Sequence, residues 1–249
     1  MITAIRDLIA GNFREAAEGF ERELLRSPDN IAAVDGLSKA LQGLGDYRRA
    51  LPLLKRVHAY QKAENPSAPG QLLYIACAYW CETDRKTAII LVQELCAGLF
   101  DGSIGMAPDQ AGGATYVILL HYMALTAKDE VRLNYSLQCL QNLSIKYERN
   151  QKKMYYPAHT VRQILGLLDF EDVLEAVTGV RTISAAYSVA QSNGVKLGEL
   201  SIALFHDGAI RRSMGDEPGC IERMKAVFAL GPGNETIRWQ LARHETLKN

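Results

Sequence analysis

The 249-residue sequence predicts an all-α fold, a single solenoid domain of stacked helix-turn-helix units closed by a C-terminal capping helix. Three observations carry this. Gly11-Asn12-Phe13 with Ala16 returns 34 residues later as Gly45-Asp46-Tyr47 with Ala50, and repetition on that scale is the signature of repeat architectures. The interval from Gly215 to Pro232 equals that from Gly11 to Pro28, so the same unit closes the chain. Between these marks the apolar residues keep helical spacing, as in Ile5, Leu8 and Ile9.

Taken in order, residues 2–10 form a first helix and 14–26 its partner, which ends before Pro28 because proline disfavours the helical conformation in the residue preceding it. Ala16 lets the two helices approach, and Phe20 fills the space one turn further on. The second unit runs from Ile31, with Val34, Leu37, Ala40 and Leu41 on its first helix and Ala50, Leu54 and Val57 on its second. Pro52 is expected in the first turn of that second helix, where a missing N–H is tolerated. Residues 1–62 are thus two regular repeats.

Residues 63–180 read as degenerate repeats. A Pro/Gly loop at 63–70 precedes Leu72, Ile75, Ala76 and Tyr79 as inward positions, Thr83-Asp84 stand in for Gly-Asp, and Ala88, Val92 and Leu95 line the next helix. Residues 98–114, with five glycines, are expected to be the longest irregular stretch. Helices follow over 115–127, 129–147, 158–168 and 170–178, with a basic polar run from Lys146 to Lys153 and Gly179 as a terminator. Residues 181–195 are ambiguous. The regular pattern returns over 195–249, with Leu200, Leu204 and Gly208, a Gly215-Asp216 turn, and Cys220, Met224 and Val227. In the last helix Ile237 and Leu241 are expected to pack inward while Arg238 and Glu245 face water, as a solenoid cap requires.

Composition excludes several classes. Hydrophobic residues make up 48% and charged residues 22%, with 28 acidic and 28 basic side chains, so nothing points to disorder, to nucleic acid or to an anionic membrane. No apolar run approaches the ~20 residues that span a bilayer. The N-terminus shows no basic signal-peptide region, so a cytoplasmic protein is expected. Five cysteines without a CxxC pair read as reduced, packed thiols, and neither metal nor small-molecule cofactor is implied. No GxSxG, HExxH, Walker A or GxGxxG motif is present, and the five histidines are scattered and read as surface or partly packed. An enzyme is not expected. Gly112-Gly113 before a helix reads as a helix-entry loop rather than a phosphate-binding turn, since no strand precedes it.

Binding is expected on the concave face lined by the outer positions of each first helix. These are Asp35, Lys39 and Gln42; then Leu73, Cys77, Trp80 and Cys81; then Phe205, Ala209 and Arg212. Trp80 and Arg212 belong to residue types common in binding hot spots, although Trp80 equally suits a core and Asp35–Lys39 an internal ion pair. Tyr116 belongs to a crowd with Tyr122, Tyr135, Tyr147, Tyr155 and Tyr156, some of which must be core. Asp101, Asp109, Asp129 and Glu130 form either an acidic patch for a basic partner or a set of helix caps. The partner-binding candidates are therefore Asp35, Lys39, Gln42, Trp80, Asp109, Tyr116 and Arg212.

The turn, Ala, aromatic and Pro positions of residues 11–28 resemble a tetratricopeptide repeat. Of the carboxylate clamp used by some tetratricopeptide domains, only Lys39 finds a matching position. Over residues 70–125 and 195–245, the stretches LLYIACAYWCETDRKTAIILVQELCAGLF, DQAGGATYVILLHYMA and WQLARHE are similar to bacterial repeat proteins encoded beside polymorphic toxins, which act as immunity proteins. Cys77, Tyr79, Trp80, Asp109, Gly112, Gly113, Tyr122, Leu241, Ala242 and Glu245 carry that similarity. The resemblance implies a cognate protein toxin from an adjacent gene as partner, bound over about 1,600 Å² or more and blocked without chemistry. A peptide-binding scaffold or chaperone adaptor is the alternative.

Overall fold

The computed structural model describes residues 1–150, 156–231 and 236–247. The described residues are all-α, and helices adjacent in the chain pack against each other in pairs. By internal packing the chain divides into two compact units, Met1–Gly105 and Met106–Asn249.

The first unit contains α1 (Ile2–Ala10), α2 (Phe13–Arg26), α3 (Ile31–Leu44), α4 (Tyr47–Glu64), α5 (Leu72–Cys81) and α6 (Arg85–Asp101). Its helices meet where an aromatic ring or a methyl group lies on a bare glycine backbone. A Cβ on Gly36 of α3 would enter the Phe20 ring of α2, one on Gly43 would enter the Phe13 ring, and one on Gly19 would meet Ala4 of α1. Phe20 is thereby almost fully buried, and its removal is worth about 3–5 kcal/mol.

The second unit contains α7 (Ala111–Ala127), α8 (Glu130–Arg149), α9 (Ala158–Ile164), α10 (Phe170–Thr178), α11 (Ile183–Ala190), α12 (Gly194–Ser213), α13 (Glu217–Ala229) and α14 (Thr236–Leu247). Its centre is α12, which packs against α7, α9, α10, α11, α13 and α14. Accordingly α12 is buried without interruption from Leu200 to Ala209.

One turn recurs along the chain. A left-handed residue ends a helix, and its N–H and that of the next residue bond back to the last turn in the Schellman pattern. At Gly45-Asp46 these bonds run to Gln42 (3.0 Å) and Leu41 (2.9 Å). The same pair recurs at Gly11-Asn12, Thr83-Asp84, Lys128-Asp129 and Gly215-Asp216. Where the second residue is Asp46, Asp84, Asp129 or Asp216, that aspartate then caps the next helix by accepting from the backbone N–H three residues on, as Asp84 does from Thr87 (3.1 Å). Glycine suits the first position, with φ of 81° at Gly45 and 84° at Gly215; Thr83 (75°) and Lys128 (56°) adopt the left-handed region despite their side chains.

Several expectations are corrected. The irregular part of 98–114 narrows to 102–110, still the longest such run among the described residues: α6 runs on to Asp101 and α7 starts at Ala111, and Gly98 packs against Ile104, whose N–H bonds the Gly98 carbonyl (2.8 Å). Pro52 lies in the second turn of α4, not the first, and removes the donor for the exposed Arg48 carbonyl. Helix α9 ends at Ile164, and the ambiguous 181–195 stretch contains α11. Pro232, Tyr155 and the end of the basic run at Gln151 to Lys153 lie outside the described residues. No helix among the described residues is long and apolar enough to cross a membrane.

Candidate functional site

In the second unit, the loop entering α7, the end of α8 and the start of α9 enclose a cleft of about 350 Å³. Ala107, Asp109, Gln110 and Ala111 form one side, and Tyr147, Tyr156, Pro157 and Ala158 the other. The loop is held close by a glycine: a Cβ on Gly113 would collide with the Ala107 carbonyl and lie 3.0 Å from Pro108 Cα. Gly112 similarly packs on the Met106 sulfur. Both glycines therefore serve loop packing and leave no bare phosphate cradle.

Asp109 accepts a bond from Lys146 Nζ at 2.7 Å. The Tyr156 hydroxyl shares a 2.6 Å hydrogen bond with Thr115 and accepts from Arg238 Nη2 at 3.1 Å. Tyr147 is buried beside both, and its hydroxyl has no hydrogen-bond partner among the described residues. Burial, the Asp109 charge and Tyr156 push this phenol above its ordinary range, so it stays protonated.

Behind the cleft lies a polar interior. Arg238 Nε donates to His206 Nε2 (3.1 Å), which fixes His206 as an acceptor at that nitrogen. Burial and then Arg238 hold His206 well below its ordinary pKa, and His121 and His159 are lowered by burial to about 4. His159 Nδ1 lies 3.2 Å from Thr160 Oγ1, and His121 Nδ1 lies 3.3 Å from Ser136 Oγ. A second network joins Tyr122, which donates to Glu245 (3.0 Å), to Arg212, which bonds Glu245 (3.1 Å) and Glu217 (2.7 Å). A third holds buried Asp207 between Arg211 (2.8 Å) and Arg223 (2.7 Å). No cluster of three His, Cys, Asp or Glu side chains among the described residues is placed to hold a metal ion, and all five cysteines are buried with none in a disulfide.

The expected outward face is corrected at several positions. Gln42 and Trp80 are fully buried and Tyr116 is buried at 7% exposure, so none presents its side chain to a partner. Leu73, Cys77 and Cys81 are buried with Trp80 because α5 is apolar all round. Phe205 and Ala209 are interior positions of α12. Arg212 is spent on internal ion pairs. Arg238 and Glu245 do not face water but are buried in the networks above, as are His159 and His206.

Asp35 and Lys39 remain at the surface of α3, paired at 2.7 Å, with Gln71 donating to Asp35 at 3.3 Å. The acidic set dissolves into local roles: Asp129 caps α8 and pairs with Arg132, Asp101 accepts from the Ser103 N–H (2.8 Å), and Asp109 alone lines the cleft. Sequence reasoning missed that Gln110, Lys146, Tyr147 and Tyr156 meet at Asp109. The tyrosine crowd and the basic run were the available signals, but neither says which members converge.

No family model and no curated protein matches this chain. Among solved structures it is similar to the crystal structure of BtubC (BKLC) from P. vanneervenii, at 15% identity and a TM-score of 0.45, over 91% of this chain and 90% of that one. The fold and the cleft by themselves define an all-α protein of paired helices.

Proposed function

We propose that this protein works in the cytoplasm by binding another polypeptide, a toxin domain that it neutralises by contact and without chemistry of its own. The observation that carries this is the cleft. Of the residues behind the resemblance to immunity proteins, Cys77, Trp80, Tyr122, Leu241, Ala242 and Glu245 are buried and Gly112 and Gly113 pack a loop, which explains them by architecture. Of the two that remain, Tyr79 is partly exposed and accepts from Lys55, while Asp109 lines the cleft. The partner is expected from the adjacent gene. Co-expression of the two should restore growth that the partner alone arrests, and the pair should co-purify. A neighbouring product that is harmless alone, or that never co-purifies, refutes this reading.

A second reading, a peptide-binding scaffold or chaperone adaptor, is favoured by the partly exposed Asp35–Lys39 pair, which the buried Gln71 supports from behind. Here a peptide array should bind the first unit and lose signal on Lys39→Ala.

A further inference from the structure

We propose that the cleft between the start of α7 and the end of α8 binds an organic carboxylate, with the Tyr147 hydroxyl as its central donor. The inference stands on the cleft itself and holds whatever the protein's partner.

A buried hydroxyl without a partner is uncommon in native structures and costs stability. Tyr147 is 1% exposed, lines the cleft, and has its hydroxyl unbonded among the described residues. It is kept as a phenol by burial and by the nearby Asp109 charge, so what it lacks is an acceptor. None of the neighbouring groups bonds it. Tyr156 is engaged by Thr115 and Arg238, and Asp109 is held by Lys146.

What the cleft still offers is donors. The first-turn N–H groups of α7 have no intrahelical acceptor, and Gln110 makes no side-chain cap. They add the positive end of a 17-residue helix. Lys146, half-exposed and bonded to the lining residue Asp109, spends one of its three ammonium hydrogens there. This set suits an anionic oxygen rather than a cation, and Lys146, paired with Asp109, offsets part of that carboxylate's charge. The volume of about 350 Å³ far exceeds the roughly 30 Å³ share of one water, and the walls include two tyrosine rings and Pro157. A bare ion would leave these apolar walls uncovered. The acid must carry an aliphatic or aromatic body.

The test titrates the full chain with benzoate, its neutral counterpart benzamide, inorganic phosphate, and an end-blocked peptide bearing one glutamate side chain. Binding is read by calorimetry and by melting temperature. Benzoate or the peptide should bind, with benzamide and phosphate at least about tenfold weaker. The better of the two tells whether a free acid or a polypeptide side chain is the natural source. Tyr147→Phe should lose at least about tenfold in affinity while melting at the same temperature or higher, since it removes only an unsatisfied hydroxyl. Absence of carboxylate binding, phosphate binding as tightly as benzoate, retained affinity in Tyr147→Phe, or a lower melting temperature for that variant would each overturn the assignment. Failure of the toxin reading would leave all of these outcomes unchanged.

Discussion

Mild acid should unfold the second unit through its buried histidines. His121 and His159 have folded-state pKa values lowered by burial to about 4, and His206 is lower still beside Arg238. In the unfolded chain all three return to about 6.5. Because the folded values are depressed, the unfolded state binds more protons between those limits. The stability is therefore present above about pH 6.5 and is lost as pH falls toward 4. At pH 5, linkage gives a loss of roughly 2 kcal/mol for each of His121 and His159, about 4 kcal/mol together, before His206 is added. That is a large part of the 5–15 kcal/mol typical of a domain. The groups facing His206 reinforce the effect, since Arg238, His121 and His159 all oppose its protonation. Urea unfolding at pH 7.5 and pH 5.0, at constant ionic strength and followed by Trp239 fluorescence in a Trp80→Phe background, measures it directly. His159→Gln should flatten the difference between the two pH values by roughly 2 kcal/mol, whatever its effect at pH 7.5. A free energy that changes by less than about 1 kcal/mol between the two conditions would refute the reasoning, because linkage leaves no other fate for these protons.

Thr83→Gly should stabilise the first unit by about 1 kcal/mol, since a β-branched residue now occupies a left-handed position (φ 75°); urea midpoints decide it. Gly113→Ala should cost about 2 kcal/mol through collision with the Ala107 carbonyl and should also disturb the cleft wall; a melting temperature equal to wild type would contradict the close approach. Arg212→Met should cost about 3 kcal/mol by removing a guanidinium from the mostly buried Glu245. If Arg212 were instead a partner-facing hot spot, Arg212→Met would weaken binding at unchanged stability, so the melt and a pull-down together separate the two roles.

The helix pairs were legible because their punctuation is local. A Gly-Asp turn encodes both the left-handed exit from one helix and the cap of the next, and Gly11, Gly45 and Gly215 announce it. Lys128-Asp129 makes the same turn with the same two bonds, yet was invisible as a repeat, because lysine carries no turn signal and only the backbone shows φ of 56°. The partners of the aromatics were hidden for a related reason. Phe20 announces that a ring will be buried, but that it rests on Gly36 follows only from how α2 crosses α3.

The candidate site was the least legible part, and the cause is physical. Sequence periodicity sorts positions into an apolar face and a polar face, and it assigns polar residues on a terminal helix to water. In the second unit that rule fails, because α12 is surrounded and the helices covering it turn polar residues inward. Arg238 and Glu245 look like solvent-facing positions of a cap, but each is buried because a distant residue completes it: His206 and Tyr156 for one, Tyr122 and Arg212 for the other. The converse holds at the cleft. Tyr147 looks like one more core tyrosine, and by burial it is one. What sets it apart is the missing acceptor at its hydroxyl, and that depends on Asp109 being taken by Lys146 and on Tyr156 being taken by Thr115 and Arg238. A donor left over after its neighbours have paired is a property of the whole network, so no pattern along the chain can encode it, and removing that one hydroxyl is the most direct way to learn whether the leftover serves a ligand.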